Sequence, residues 1–215
     1  AQWVGAEDVA GDGELPSRWC AQRAVAGQEI CLWSAARGGR IVASCAYRPA
    51  WRHGASYAFE AIDCPAALAV AERLAGALNL TGQISLDIIL TPAGVAVPIE
   101  CNPRSTSGVH LFDGAAALAD AITGAGPPVH CISGLRYLSP AMLVMGVADA
   151  LAHGRVAQWR RDWRCGRDAL TRPGARLPAL GAMIDAVEFA ARGALAGRSA
   201  SAQSTADIEW NGEPL

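Results

Sequence analysis

Lysine is missing from this chain: all 18 basic residues among its 215 are arginines. A Walker A loop is thereby excluded, because its phosphate chemistry needs the lysine that follows the glycines. Any phosphate-holding lysine must come from elsewhere, or an arginine must stand in for it. Long apolar runs are missing too. None approaches the roughly 18–20 residues that span a bilayer, so no membrane partner is expected. Cysteine pairs at metal-binding spacing are also absent. Cys20, Cys31, Cys45, Cys64, Cys101, Cys131 and Cys165 are scattered, odd in number and without a C-x-x-C. That pattern predicts reduced thiols in a cytoplasm rather than a disulfide framework or a zinc site. The Asn79-Leu80-Thr81 sequon is then a coincidence. A net charge of −2 supplies no basic field, and no nucleic-acid partner is expected. At Ala1-Gln2-Trp3 no charged leader precedes an apolar segment, so no signal peptide is expected.

What is present is the composition of a globular protein, 52% hydrophobic and 18% charged with 23 Gly and 12 Pro. Strand-like segments are expected at Trp19–Val25, Glu29–Ala35 and Arg40–Tyr47, the last two joined by a Gly38-Gly39 turn. Residues 48–54 read as a loop, and Tyr57–Ile62 as a further strand. Pro65 can open a helix over 65–78, with Val70, Leu74 and Leu78 on one stripe. A hairpin follows, with strands near 82–91 and 95–101 and a turn at Thr91-Pro92-Ala93-Gly94. Helices are expected near 114–123, 140–152 and 179–195. The last of these carries Leu180, Ile184, Val187 and Ala191 on one side. A Gly/Pro-rich link at 124–128 divides the chain into residues 1–128 and 129–215. Strands and helices together predict an α+β fold.

The hairpin carries the chemistry. Alternation places Ile84, Leu86, Ile88 and Leu90 on one face of its first strand and Ser85 with Asp87 on the other. On the second strand Glu100 and Asn102 share a face, opposite Val97, Ile99 and Cys101. Pro98 marks an edge or an irregularity. With a short turn Asp87 falls opposite Pro98, leaving Glu100 as a diagonal neighbour. Two carboxylates and an amide oxygen on rigid strands are the hard donors that Mg²⁺ requires. The plainer alternative is an acidic pair on a solvated face.

Asp87, followed thirteen positions on by Glu100-Cys101-Asn102-Pro103-Arg104 and a Ser/Gly loop, resembles the metal-binding end of the ATP-grasp family. Upstream, Gln22-Arg23-Ala24-Val25-Ala26-Gly27-Gln28-Glu29 resembles that family's hinge between lobes. The resemblance covers about residues 19–112. It implies the carboxyl-terminal portion of an ATP-grasp domain within 1–128, a largely antiparallel sheet with flanking helices. Residues 129–215 would be a helical or mixed extension. It further implies that Asp87, Glu100 and Asn102 hold one or two Mg²⁺ (or Mn²⁺) on the phosphates of ATP. Glu29 would take the ribose hydroxyls, and Gln22, Arg23, Ala24 and Val25 would line the adenine. Arg104 looks like the arginine that meets the anionic substrate or acyl phosphate, its guanidinium offering a bidentate fork. A structural salt bridge is the alternative for Arg104.

The implied activity is ATP-dependent activation of a small carboxylate as an acyl phosphate, which an amine then attacks. Bicarbonate activation of the carbamoyl-phosphate-synthase kind and a non-catalytic nucleotide-binding relative are the alternatives. The family's smaller lobe, with its lysines and Gly-rich flap, has no counterpart here. The chain is therefore expected to be a fragment that alone binds nucleotide poorly and turns over nothing. Arg48 and Arg52 could reach phosphates or lie on the surface. Ser107 and His110 lack the elbow and the third group of a hydrolase. His53, His130 and His153 read as surface or packing residues, and the cysteines as small core residues. Trp159, Arg160, Arg161, Trp163 and Arg164 could bind an anionic group or a partner, or form a solvated edge with packing tryptophans. Substrate selectivity or homo-oligomer contacts are the expected roles of 129–215.

Overall fold

Alternating apolar residues build one sheet, and its two faces are covered differently. The computed structural model describes residues 23–53, 55–171, 175, 177–198 and 203. Strands β1 (Gln28–Arg37), β2 (Arg40–His53), β3 (Ala55–Ile62), β4 (Gly82–Leu90) and β5 (Ala96–Asn102) form its body. The short β6 (Val129–Cys131), β7 (Leu135–Tyr137) and β8 (Arg167–Asp168) complete it. The order is β5-β4-β1-β2-β3-β7-β8, with β6 paired to β2. Among the described residues only the β2/β6 and β7/β8 pairs are parallel. Residues 129–168 therefore hydrogen-bond into the same sheet as residues 28–102. The fold is α+β.

Helix α1 (Pro65–Leu78) opens with Pro at its first position and closes on Asn79 in the left-handed region, φ 45°. Asparagine tolerates that conformation, and the Asn79 and Leu80 N–H groups satisfy the carbonyls of Gly76 and Ala75. The helix covers one sheet face through Ala67, Ala71 and Ala75, all fully buried, the first two against Ile30, Leu32, Leu86 and Ile88. The expected stripe of Val70, Leu74 and Leu78 is thus displaced. Alanines let the helix backbone approach the sheet, Val70 and Leu74 fill the flanks, and Leu78 faces solvent.

On the opposite face the 3₁₀ turn Ser107–Leu111 and helix α2 (Ala115–Thr123) pack on Trp33, Cys45, Tyr47 and Phe59. A third core joins Trp51, Tyr57 and Tyr137 to helices α3 (Ser139–Ala152) and α4 (Val156–Cys165). Trp163 stacks on Tyr137 at 4.9 Å and on Trp159 at 5.5 Å between ring centroids. These tryptophans pack, while Arg160, Arg161 and Arg164 stay exposed. Helix α5 (Leu177–Leu195) forms as expected, but its Leu180, Ile184 and Val187 side is exposed.

Two expectations fail. Residues 48–53 are strand rather than loop. Trp51 is buried beside Ala58, and irregular register around Pro49 and Trp51 spares the ladder bond that Pro49 cannot donate. Residues 23–25 are irregular rather than strand; the rest of the expected Trp19–Val25 segment lies outside the described residues. Among the described residues no helix is long and apolar enough to cross a membrane.

Candidate functional site

The β4–β5 hairpin lies at the sheet edge, where Pro98 costs no ladder bond. Its register differs from simple alternation. Ile88 pairs with Pro98, whereas Asp87 pairs with Glu100, so Ile99 is an extra, bulged residue. The bulge moves Glu100 from a diagonal position to one directly opposite Asp87. It also lets Ala96 pack under α1 while Glu100 and Asn102 face the other side. Asn102 donates its Nδ2–H to Glu100 Oε1 at 2.9 Å. That donation orients the amide and leaves its oxygen as an acceptor.

A row of paired residues crosses the sheet at this level: Glu100, Asp87, Cys31 and Tyr47. Glu100 is exposed, Asp87 half-buried and Tyr47 buried, so the row grades from water into the core. Burial, and then a hydrogen bond to the Asp87 carboxylate, pushes the Cys31 thiol up to about 12. Cys31 is therefore a neutral donor that holds Asp87 from beneath. Burial likewise pushes the Tyr47 hydroxyl well above its usual range.

Beside this row lies a chain of hydroxyls. Ser85 donates to the Arg104 carbonyl at 2.9 Å and contacts Thr106 Oγ1 at 2.9 Å; Thr106 meets the Tyr47 hydroxyl at 3.1 Å. Since the Ser85 proton is committed to Arg104, Thr106 donates to Ser85 and Tyr47 donates to Thr106. The loop that follows Asn102 is thereby tied to the floor of the site. Gly108 seats the next turn: a Cβ there would stand 2.6 Å from Trp33 Cβ and 2.9 Å from Tyr47 Cε1.

Glu29 lies two residues before Cys31 on the same β1 face, a diagonal neighbour of Asp87 at roughly 7–8 Å. Its carboxylate is engaged by Arg52, Nη1 to Oε2 at 2.9 Å. Arg48 is bound to Glu60 through both Nε and Nη2. Gln22 lies outside the described residues. Arg23 and Ala24 are exposed and Val25 is half-buried, in irregular chain leading to β1.

Arg104 is set apart from these groups. It lines a cleft of about 370 Å³ with Ala36, Gly82, Gln83 and Ile122, at the other end of β1 from Glu29. Among the described residues it has no salt-bridge partner; its Nη1 reaches the Ser105 carbonyl at 3.4 Å. His130 bonds Ser44 at 2.7 Å and His153 pairs with Asp149 at 2.9 Å, so both serve packing and surface roles.

Glu29, Asp87, Glu100 and Asn102 thus share one open face. No group of three His, Cys, Asp or Glu that could hold a metal exists among the described residues. Two carboxylates and an amide oxygen remain, a donor set suited to an ion that keeps water or phosphate oxygens in its other positions. Sequence reading missed Cys31, Tyr47 and Thr106, because their roles depend on which strands become neighbours.

The chain is an α+β fold with an acidic, oxygen-rich edge hairpin. Solved structures that match parts of it are ATP-grasp ligases. An L-amino acid ligase from Bacillus licheniformis matches at 15% identity and a TM-score of 0.28, covering 38% of this chain and 23% of that one. The phosphoribosylaminoimidazole carboxylase ATPase subunit from Aquifex aeolicus matches at 19% identity and 0.37, over 49% and 35%. The macrocyclase MdnB from Microcystis aeruginosa matches at 24% and 0.29, over 46% and 37%. The match therefore spans between 23% and 37% of those proteins. No protein-family model and no curated protein matches the chain.

Proposed function

We propose that this chain carries the metal- and ribose-facing side of an ATP-grasp site, for an enzyme that activates a small carboxylate as an acyl phosphate for attack by an amine. The observation that carries the reading is the direct pairing of Asp87 with Glu100, with Asn102 bonded to Glu100 and Glu29 on the same face. Asp87, Glu100 and Asn102 would hold Mg²⁺ or Mn²⁺, which neutralises phosphate charge when bound. Asp87 is held in place by the Cys31 thiol, and the loop after Asn102 by Ser85 and Thr106. Glu29 would receive the ribose hydroxyls, with Arg52 fixing its carboxylate. Arg23 to Val25, with Gln22 before them, would pass the adenine. Arg104 would meet an anionic group only by swinging out of its present cleft.

Mn²⁺–ATP titration followed by water-proton relaxation tests the proposal. Wild type should show a bound-Mn²⁺ signal that Asp87→Asn with Glu100→Gln abolishes. Equal binding by both proteins would remove the site. A second reading, a nucleotide-binding relative without turnover, is favoured by the absence of lysine. Phosphate release that depends on an added carboxylate and amine separates the two.

A further inference from the structure

We propose that Cys45 and Cys131 are a redox modification site, a thiol pair that hydroperoxides convert to a disulfide and dithiols restore. Parallel strands β2 and β6 place the two residues at the same register position. Paired residues on parallel neighbours point their side chains to one face, and both cysteines belong to the Trp33–Phe59 core. Neighbouring strands lie about 4.7–4.9 Å apart, inside the roughly 4.4–6.8 Å separation of α-carbons that a disulfide spans. Each thiol lies close enough to the other to shift its ionisation.

The pair is asymmetric in a way that suits stepwise oxidation. Cys45 is buried, while Cys131 is half-buried. The neighbouring Cys45 thiol lowers the Cys131 thiol, helped by the Ser133 backbone and Arg136; burial and Asp113 oppose this. Its neighbour Cys131, with burial, pushes Cys45 up. Cys131 is the more readily ionised of the two.

Cys131 thiolate attacks one peroxide oxygen and breaks the O–O bond, giving a sulfenic acid and a hydroxide that is protonated to water. Cys45 sulfur then displaces the sulfenic hydroxyl, which leaves as a second water carrying the Cys45 proton. Two thiols are oxidised to one disulfide, and one hydrogen peroxide is reduced to two waters. The other two described thiols on strands pair with residues other than cysteine: Cys31 faces Asp87 and Tyr47, and Cys101 faces Leu86.

The bond would also act on the site. Cys131 Sγ lies 3.3 Å from the Leu111 carbonyl at the end of the 3₁₀ turn, and oxidation removes that S–H donor. The closed loop, 45–131, contains α1, the hairpin and α2.

The test treats reduced native protein with equimolar hydrogen peroxide. Unfolding, alkylation and peptide mass mapping without reductant follow. A linked Cys45–Cys131 peptide should dominate, vanish with dithiothreitol, and be absent when peroxide is added after unfolding. The melting temperature should rise on oxidation and return on reduction, since the bond constrains a long loop. Recovery of both residues as alkylated thiols, a Cys131 sulfinic acid without the link, or linkage to another cysteine would overturn the proposal. In Cys45→Ala, dimedone should trap Cys131 as its sulfenic acid; no adduct under peroxide counts against the order of steps.

Discussion

Asp87 on β4 and Glu100 on β5 stand directly opposite each other across an antiparallel pair, with Ile99 bulged out between Glu100 and Pro98. Like charges in that position oppose folding, by about 0.2–1 kcal/mol in an exposed pair. A cation held between the two carboxylates would offset this cost.

Neutralising either carboxylate should therefore make the apo protein slightly more stable. Asp87→Asn and Glu100→Gln are each expected to gain about 0.5 kcal/mol in urea unfolding at low salt. The same variants should lose the rise in melting temperature that Mn²⁺ gives wild type. A variant that is less stable and keeps the Mn²⁺ response contradicts the assignment.

Stability should fall on the alkaline side. The Cys31 thiol ionises near 9.0 when free and is raised to about 12 in the fold, so between these values the native state holds a proton the unfolded chain has released. Its contribution is complete below pH 9 and is lost as pH rises toward 12, at no more than about 1.4 kcal/mol per pH unit. Tyr47, raised as well, adds to the slope at its upper end. Urea midpoints from pH 8 to 11 should slope less in Cys31→Ser than in wild type.

Gly108→Ala should be damaging for steric reasons alone. Its methyl would meet Trp33 Cβ and the Tyr47 ring, neither of which can yield without moving the sheet. Overpacking of this kind costs about 1–3 kcal/mol. Calorimetry should show the loss, and Thr106 should become more open to hydrogen exchange as the turn lifts.

Glu29→Gln should weaken ATP binding by roughly ten- to a hundredfold, since a hydrogen bond to a charged group is worth about 1.5–3 kcal/mol. The loss should be smaller for a nucleotide lacking a ribose hydroxyl. Stability should barely change, because the Arg52–Glu29 pair is about half exposed on both sides. Isothermal titration with ATP and 2′-deoxy-ATP checks both statements; an equal loss for the two nucleotides removes Glu29 from the ribose.

Local signals were dependable where the element is decided locally. Pro65 at a helix start, Gly38-Gly39 between strands and Thr91–Gly94 between β4 and β5 all stand where the sequence puts them. That Asp87 shares a face with Ser85, and Glu100 with Asn102, was legible because alternation sets which side chains lie together. Residues 48–53 misled because Pro49 and two arginines read as loop, while burial of Trp51 under α3 and α4 holds them in strand.

The residues themselves determined the helices, the hairpin, the acidic pair and the exclusion of a lysine-dependent phosphate loop. Tertiary structure alone decided that β1 lies between β2 and β4, that Cys31 supports Asp87, that Arg52 reaches Glu29, and that Cys45 meets Cys131. Periodicity tells a strand which way its side chains point. Which strand lies beside it, and in what register, depends on the burial achieved by the whole sheet.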